Sequence, residues 1–268
     1  MSSNNQIAHG SLASKIDIAS IKKYNSKILP LLSDKHGKSI KRALRYLKID
    51  NEQLMQLVHD LQLDISPTSE QLKAAKFIYK LILDGDSSEP AKVNSEKDIP
   101  SKALEHIKMI GLPIDWERDD GFAYNGETAS GVLISHMSNL IHESSHYQIC
   151  TTERRRKPDF GLGDSPDSKE RVKESVHPFH ASIEEERASM LGIITELLLD
   201  LTPKWTYNYH GWTKGGVCPG RNSVQTIAWL IVNGFVNVCP DNSFAVTGKL
   251  DHLPRVVGSC DSSESSEL

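Results

Sequence analysis

No stretch of this 268-residue chain approaches the roughly 18 consecutive apolar residues that a membrane-spanning helix needs. Its first residues, Met1-Ser2-Ser3-Asn4-Asn5-Gln6, lack the cationic start and apolar run of a secretory signal. A soluble, cytoplasmic protein is expected, with no membrane partner. Cysteine is scarce, with residues only at 150, 218, 239 and 260 and no Cys-x-x-Cys pair. That argues against a zinc ribbon or dithiol redox motif and predicts separate reduced thiols. An excess of positive charge is missing too: the net charge is -4, so the surface as a whole offers no footprint for nucleic acid. Nothing repeats at a fixed period.

What the chain does have is helical periodicity. Apolar residues recur at helical spacing through Ile21, Tyr24, Ile28 and Leu31, then Ile40, Ala43, Leu44 and Leu47, then Leu54, Leu57, Val58 and Leu61. Thr68-Ser69-Glu70-Gln71 fits a capping box that opens a fourth helix through Leu72, Ala75, Ile78, Tyr79 and Ile82. Residues 85–99 are polar and contain Gly, Ser and Pro, the composition of a linker. The expected fold is therefore mainly α, with an N-terminal helical bundle over 15–84 and an α-rich metal-binding domain with a minor β component over 100–258. Polar, disordered ends are expected at 1–14 and 259–268.

Within the second domain a short helix around 101–110 is followed by a brief strand or hairpin near 119–126. A helix over about 131–150 then carries His142-Glu143-Ser144-Ser145-His146. Two histidines four residues apart lie one turn apart on one helix face, so their imidazoles can converge on one divalent ion, and the intervening Glu143 can act as a catalytic base. His136 lies about 240° around that helix from His142 and misses this face.

A catalytic centre needs a third protein ligand. The metzincin extension would require Gly at position 149 and His at 152, where this chain has Ile149 and Thr152, so that branch is excluded. The remaining candidates are Glu184, Glu185 and Glu186, at the start of a second long helix expected to begin near Ser182 and to end before Pro203. Ser182-Ile183-Glu184-Glu185 reads as a capping box that engages Glu185. Glu185 also points away from the apolar stripe while its neighbours flank it, so Glu184 is favoured as ligand and Glu186 held in reserve. His177 and His180 read as solvated loop residues. One more helix, near Ile227 to Ile231, and a weak strand near Val236 to Val238 complete the pattern.

Asn139, Ser144, Ser145 and Gln148 depart from the flanks usual in zinc peptidases, while two histidines and one carboxylate also describe a non-haem iron site that activates oxygen. The segment Ile141-His142-Glu143-Ser144-Ser145-His146-Tyr147-Gln148-Ile149-Cys150, then Glu153-Arg154-Arg155, Asp159-Phe160-Gly161 and Glu184, resembles the ordered motifs of elongation factor P hydroxylases over about residues 132–195. The resemblance implies a metal-dependent, oxygen-using hydroxylase acting on a modified lysine of a translation factor, with His142, His146 and Glu184 at the ligand positions and iron as the favoured ion. Tyr147, Arg154, Arg155 and Asp159 are expected around the centre, supporting ligands or substrate, with Asp159 and Glu153 as partners of the arginines. A zinc metallopeptidase with Glu143 as general base and a non-catalytic, structural metal protein remain as alternatives.

Overall fold

The computed structural model describes residues 67–162, 178–209, 223–239, 241 and 243–246. The chain divides into two compact units, 1–64 and 65–268, and every described residue belongs to the second. The first three helices expected of the N-terminal bundle, both polar ends and His177 lie outside the described residues.

The second unit is mainly α. Its described residues form helices α1 (Ser69–Asp84), α2 (Ser101–Ile110), α3 (Met137–Ile149), α4 (Pro178–Leu198), α5 (Pro203–Tyr209) and α6 (Ser223–Val232). Two small sheets complete it. Strands β1 (Ile114–Asp115) and β2 (Ala129–Ser130) pair in parallel, and β3 (Val236–Val238) and β4 (Phe244–Val246) pair antiparallel with Val236 opposite Val246. The hairpin expected near 119–126 is reduced to a single bridge between Tyr124 and Ala129. Among the described residues no helix is long and apolar enough to cross a membrane.

Local chemistry explains the clearest ends. The Thr68 hydroxyl accepts from the Gln71 amide at 3.2 Å and the Gln71 side chain accepts from the Thr68 amide at 2.8 Å, which closes the expected capping box on α1. Helix α2 stops at Gly111, whose φ of 74° lets its amide turn back to the carbonyls of Ile107 and Lys108.

Two apolar cores flank the α3–α4 pair. One joins Ala75, Ile78 and Ile82 of α1 to Leu191 and Ile194 of α4, Ile227 and Leu230 of α6, and Val236 and Val246 of the second sheet. Thus α1, which the sequence groups with the N-terminal bundle, shares its core with the helices around the metal motif. The other core joins Ile107, Tyr124, Ile134, Phe160 and Leu199 to Leu140 and Ile141 of α3. Fully burying side chains such as Leu140 and Ile141 contributes about 1.5–3 kcal/mol each. Residues 85–99, expected to be a linker, are pinned at Val93, which is 1% exposed and donates its amide to Ser135. Met137 in turn donates to Ala91, so this segment braces the start of α3.

Helix α3 begins at Met137 and not near 131, and α4 begins at Pro178 and not near Ser182. Proline suits a first helical position, where its missing N–H would have had no partner in any case. Cys150 is a free, buried thiol as expected, whereas Cys239 is disulfide-bonded, which corrects the expectation that all four thiols are separate.

Candidate metal centre

Ten of the thirteen residues of α3 are buried, among them His142, Glu143, Ser144, Ser145, His146 and Gln148, so this helix is not half-solvated. Small polar residues allow that burial: Ser144 and Ser145 both donate their hydroxyls to the Ile141 carbonyl, at 2.7 and 2.8 Å. Gly192 of α4 faces them. A Cβ placed on Gly192 would stand 3.4 Å from the Ser145 hydroxyl oxygen and 3.6 Å from His142 Cα. The serines that looked foreign to a peptidase motif therefore serve the close approach of α3 to α4.

At this approach the two imidazoles meet one carboxylate. His142 Nε2 and His146 Nε2 are 3.0 Å apart, and Glu185 Oε2 lies 3.2 Å from His146 Nε2 and 3.5 Å from His142 Nε2. These three side chains form the group of potential metal ligands among the described residues. Donors that each stand about 2.0–2.2 Å from a shared ion at angles of 90–110° lie about 3–3.5 Å from one another, so the observed spacings fit a divalent metal. The imidazoles are buried, while the Glu185 side chain is 41% exposed, so the centre opens to solvent on the Glu185 side.

Glu185 replaces the expected Glu184 as the carboxylate of the centre. Because α4 begins at Pro178, Ser182 lies inside the helix, so Glu185 is not the third residue of a capping box. Its direction away from the apolar stripe is also explained. Helix α4 is packed on two sides: Leu191 and Ile194 enter an apolar core, while Glu185 and Gly192, seven residues apart and so on one face, meet α3.

Glu184 is buried and gripped by Arg154, whose two terminal nitrogens donate to its two oxygens at 2.6 and 2.7 Å. Its Oε1 also lies 3.9 Å from His146 Nδ1, behind the ring. Glu186, the reserve candidate, is turned into the protein and accepts from the Thr226 hydroxyl at 2.5 Å. Asp159 and Glu153, expected as the arginines' partners, are not the groups that hold Arg154.

The other expected residues take distinct positions. Arg155 donates to the carbonyls of Tyr147 and Cys150, at 2.6 and 3.3 Å, and so caps the C-terminal end of α3, where a cation is favoured by the helix dipole. Its guanidinium also lies 4.9 Å from the centroid of the Tyr147 ring, which packs edge-on against Tyr124. Tyr147 thus belongs to the wall behind the centre. His136 precedes α3 in extended conformation and contacts the Ser135 hydroxyl, away from the three donors as expected.

Asp159 and Phe160 are consecutive non-glycine residues at φ 42° and 54°, a left-handed pair that costs about 1–3 kcal/mol per residue. The turn swings the Phe160 ring between Tyr124, 4.4 Å away with the two rings nearly parallel, and His146, 5.4 Å away. Arg154 holds the turn as well, donating its Nε to the Phe160 carbonyl at 2.9 Å. Asp159 accepts from the Tyr124 amide, and burial lifts its carboxyl to about 6. Phe160 was not foreseen as a neighbour of the imidazoles, since no spacing rule predicts a left-handed pair without glycine.

The charge states follow from burial and proximity. Burial, reinforced by His146, lowers the His142 imidazole to about 4. Burial would lower His146 too, but the carboxylates of Glu185 and Glu184 outweigh it and hold this imidazole at about 10. Burial opposes ionisation of Glu185, yet the two imidazoles keep its carboxyl well below the usual carboxylate range. The Glu185 carboxylate thus stays ionised beside the two imidazoles. Glu143, one residue along from His142, is 9% exposed, and its carboxyl is pushed up to about 8 by burial, with His146 pulling the other way and Glu185 and Asp159 adding to the rise.

No protein-family model, curated protein or solved structure matches this chain.

Proposed function

We propose that the chain is a metal-dependent enzyme working at His142, His146 and Glu185, a hydroxylase of the kind its motifs resemble, with iron as the ion and a protein side chain as substrate. The observation that carries this reading is the convergence of two imidazole nitrogens and one carboxylate oxygen within 3.5 Å of one another. An ion held by two histidines and one carboxylate keeps positions open, and iron in that environment activates oxygen. A translation factor as substrate and a cytoplasmic setting go with the resemblance.

The remaining side chains have roles that follow from their places. Glu143 keeps a buried carboxyl beside the centre that holds its proton near neutral pH, able to donate to or accept from a reacting group. Phe160 and Tyr124 stack beside His146 and shield that imidazole from water. Substrate approaches past Glu185, the one donor with an exposed side chain. The Glu-Arg-Arg and Asp-Phe-Gly motifs support the reading because both reach the centre: Arg154 grips Glu184 behind His146, and Phe160 lies on its ring.

The test is elemental analysis of the full chain purified under nitrogen without chelators, beside His142→Ala. Iron at about one per chain, lost in the variant, with product formation that stops without oxygen, is the expected result. Zinc with activity that persists under nitrogen would move the assignment to a metallopeptidase using Glu143 as base. A metal whose removal unfolds the domain, with no activity toward any substrate, would make it structural. No metal in either protein overturns the metalloenzyme reading altogether.

A further inference from the structure

Behind His146, on the side away from the three converging donor atoms, lies a second buried layer. The Glu184 carboxylate oxygen Oε1 is 3.9 Å from His146 Nδ1, and that nitrogen is buried. Glu184 is fixed there by the two parallel hydrogen bonds from Arg154, whose Nε holds the Phe160 carbonyl. One guanidinium therefore sets two groups beside the His146 ring outside the centre: the carboxylate on its Nδ1 side and the phenyl ring on its face.

We infer that Glu184 is a positioning residue for metal binding: its carboxylate, 3.9 Å from Nδ1, keeps the proton of the neutral His146 imidazole on that nitrogen, so that the Nε2 lone pair points to the metal, and Arg154 is the clamp that aims it. The inference rests on the metal-centre reading and adds to it the residues that select the tautomer. A neutral imidazole carries one proton on two nitrogens, and it binds a metal through Nε2 only when the proton is on Nδ1. A buried carboxylate beside Nδ1 favours that tautomer and makes Nε2 more basic. Glu184 suits this place better than direct ligation, because it lies on the Nδ1 side of His146 while the three donor atoms converge at Nε2. An ion pair buried this deeply is costly to desolvate and is better explained by orientation than by stability.

The experiment uses cobalt(II) as the probe, titrated under nitrogen into the metal-free full chain against a competing chelator, with the visible absorption of the bound ion as a second readout. Glu184→Gln leaves Arg154 without its charged partner, so the double variant Arg154→Gln with Glu184→Gln, which keeps volume and hydrogen bonding without charge, is measured beside it. The expected result is binding that stays at one ion per chain but weakens roughly 10–100-fold. An altered absorption envelope should accompany it, while the metal-free double variant melts close to the parent.

Unchanged affinity and spectrum in the double variant would overturn the positioning role and leave the pair purely structural. Loss of stoichiometric binding would also overturn it, by making Glu184 a ligand. Failure of the unsubstituted chain to bind cobalt would instead refute the metal centre itself, which separates the two claims.

Discussion

Glu185 Oε2 reaches within 3.2 Å of His146 Nε2 from a position 39 residues later in the chain, on a different helix. The centre therefore exists only when α3 and α4 lie side by side, and its integrity reports on that packing. Removing the Glu185 carboxylate as Glu185→Ala should weaken metal binding by more than the roughly 10–100-fold typical of losing an outer partner. Glu186→Gln should leave binding intact, since Glu186 faces Thr226. Metal content by elemental analysis of the two variants distinguishes them, and a metal-free Glu186→Gln protein would refute the assignment.

Glu143 sits next to His142 without being one of the three converging donors. Glu143→Gln should keep one metal per chain while lowering turnover by about 10²–10⁴-fold, the usual contribution of an acid–base group. Stoichiometry and turnover measured on the same preparation check this, and full activity would remove Glu143 from the chemistry.

His106 is fully buried in α2, with both ring nitrogens lacking hydrogen-bond partners, and burial lowers its imidazole to about 4. The folded chain thus resists a proton that the unfolded chain accepts near 6.5. Between those values the unfolded state binds more protons, so stability falls as pH drops from about 6.5 to 4, by up to ~3 kcal/mol. Urea unfolding of His106→Met across this range should show a correspondingly shallower decline, and parallel curves for the two proteins would contradict the effect.

Glu196 is buried near the end of α4 and meets the Thr206 hydroxyl with both oxygens, at 3.0 and 2.8 Å. Burial raises its carboxyl to about 8. The sign is opposite to the usual carboxylate: the folded state holds a proton that the unfolded state releases near 4.5. Stability contributed by the neutral acid is complete below 4.5 and declines as pH rises toward 8. Glu196→Gln, neutral throughout, should be more stable than the parent at pH 8 by up to about 4 kcal/mol and no more stable at pH 4. Thermal unfolding at the two pH values measures the difference.

The part of this protein legible from sequence is the part encoded locally. Thr68 and Gln71 announce the start of α1 because a capping box needs only four consecutive residues. His142 and His146 announce a shared face because one helical turn separates them. Where expectation failed, a local rule met a non-local environment. Ser182 has the chemistry of a cap, but the helix already runs from Pro178, whose own preference for a first turn was the available signal. Arg154 was expected to pair with an acid nearby in sequence and instead holds Glu184, 30 residues away.

The chain's own order of residues determined that the described unit is mainly helical and that two imidazoles face one way on one helix, because hydrogen bonding and side-chain phase within a helix depend on near neighbours alone. Which carboxylate meets those imidazoles was decided only in three dimensions. Helix α4 is buried on two sides, so a single apolar stripe could not show which face receives α3. That choice came from the close approach that Gly192, Ser144 and Ser145 permit, which brings Glu185 to the two imidazoles and leaves Glu184 to Arg154.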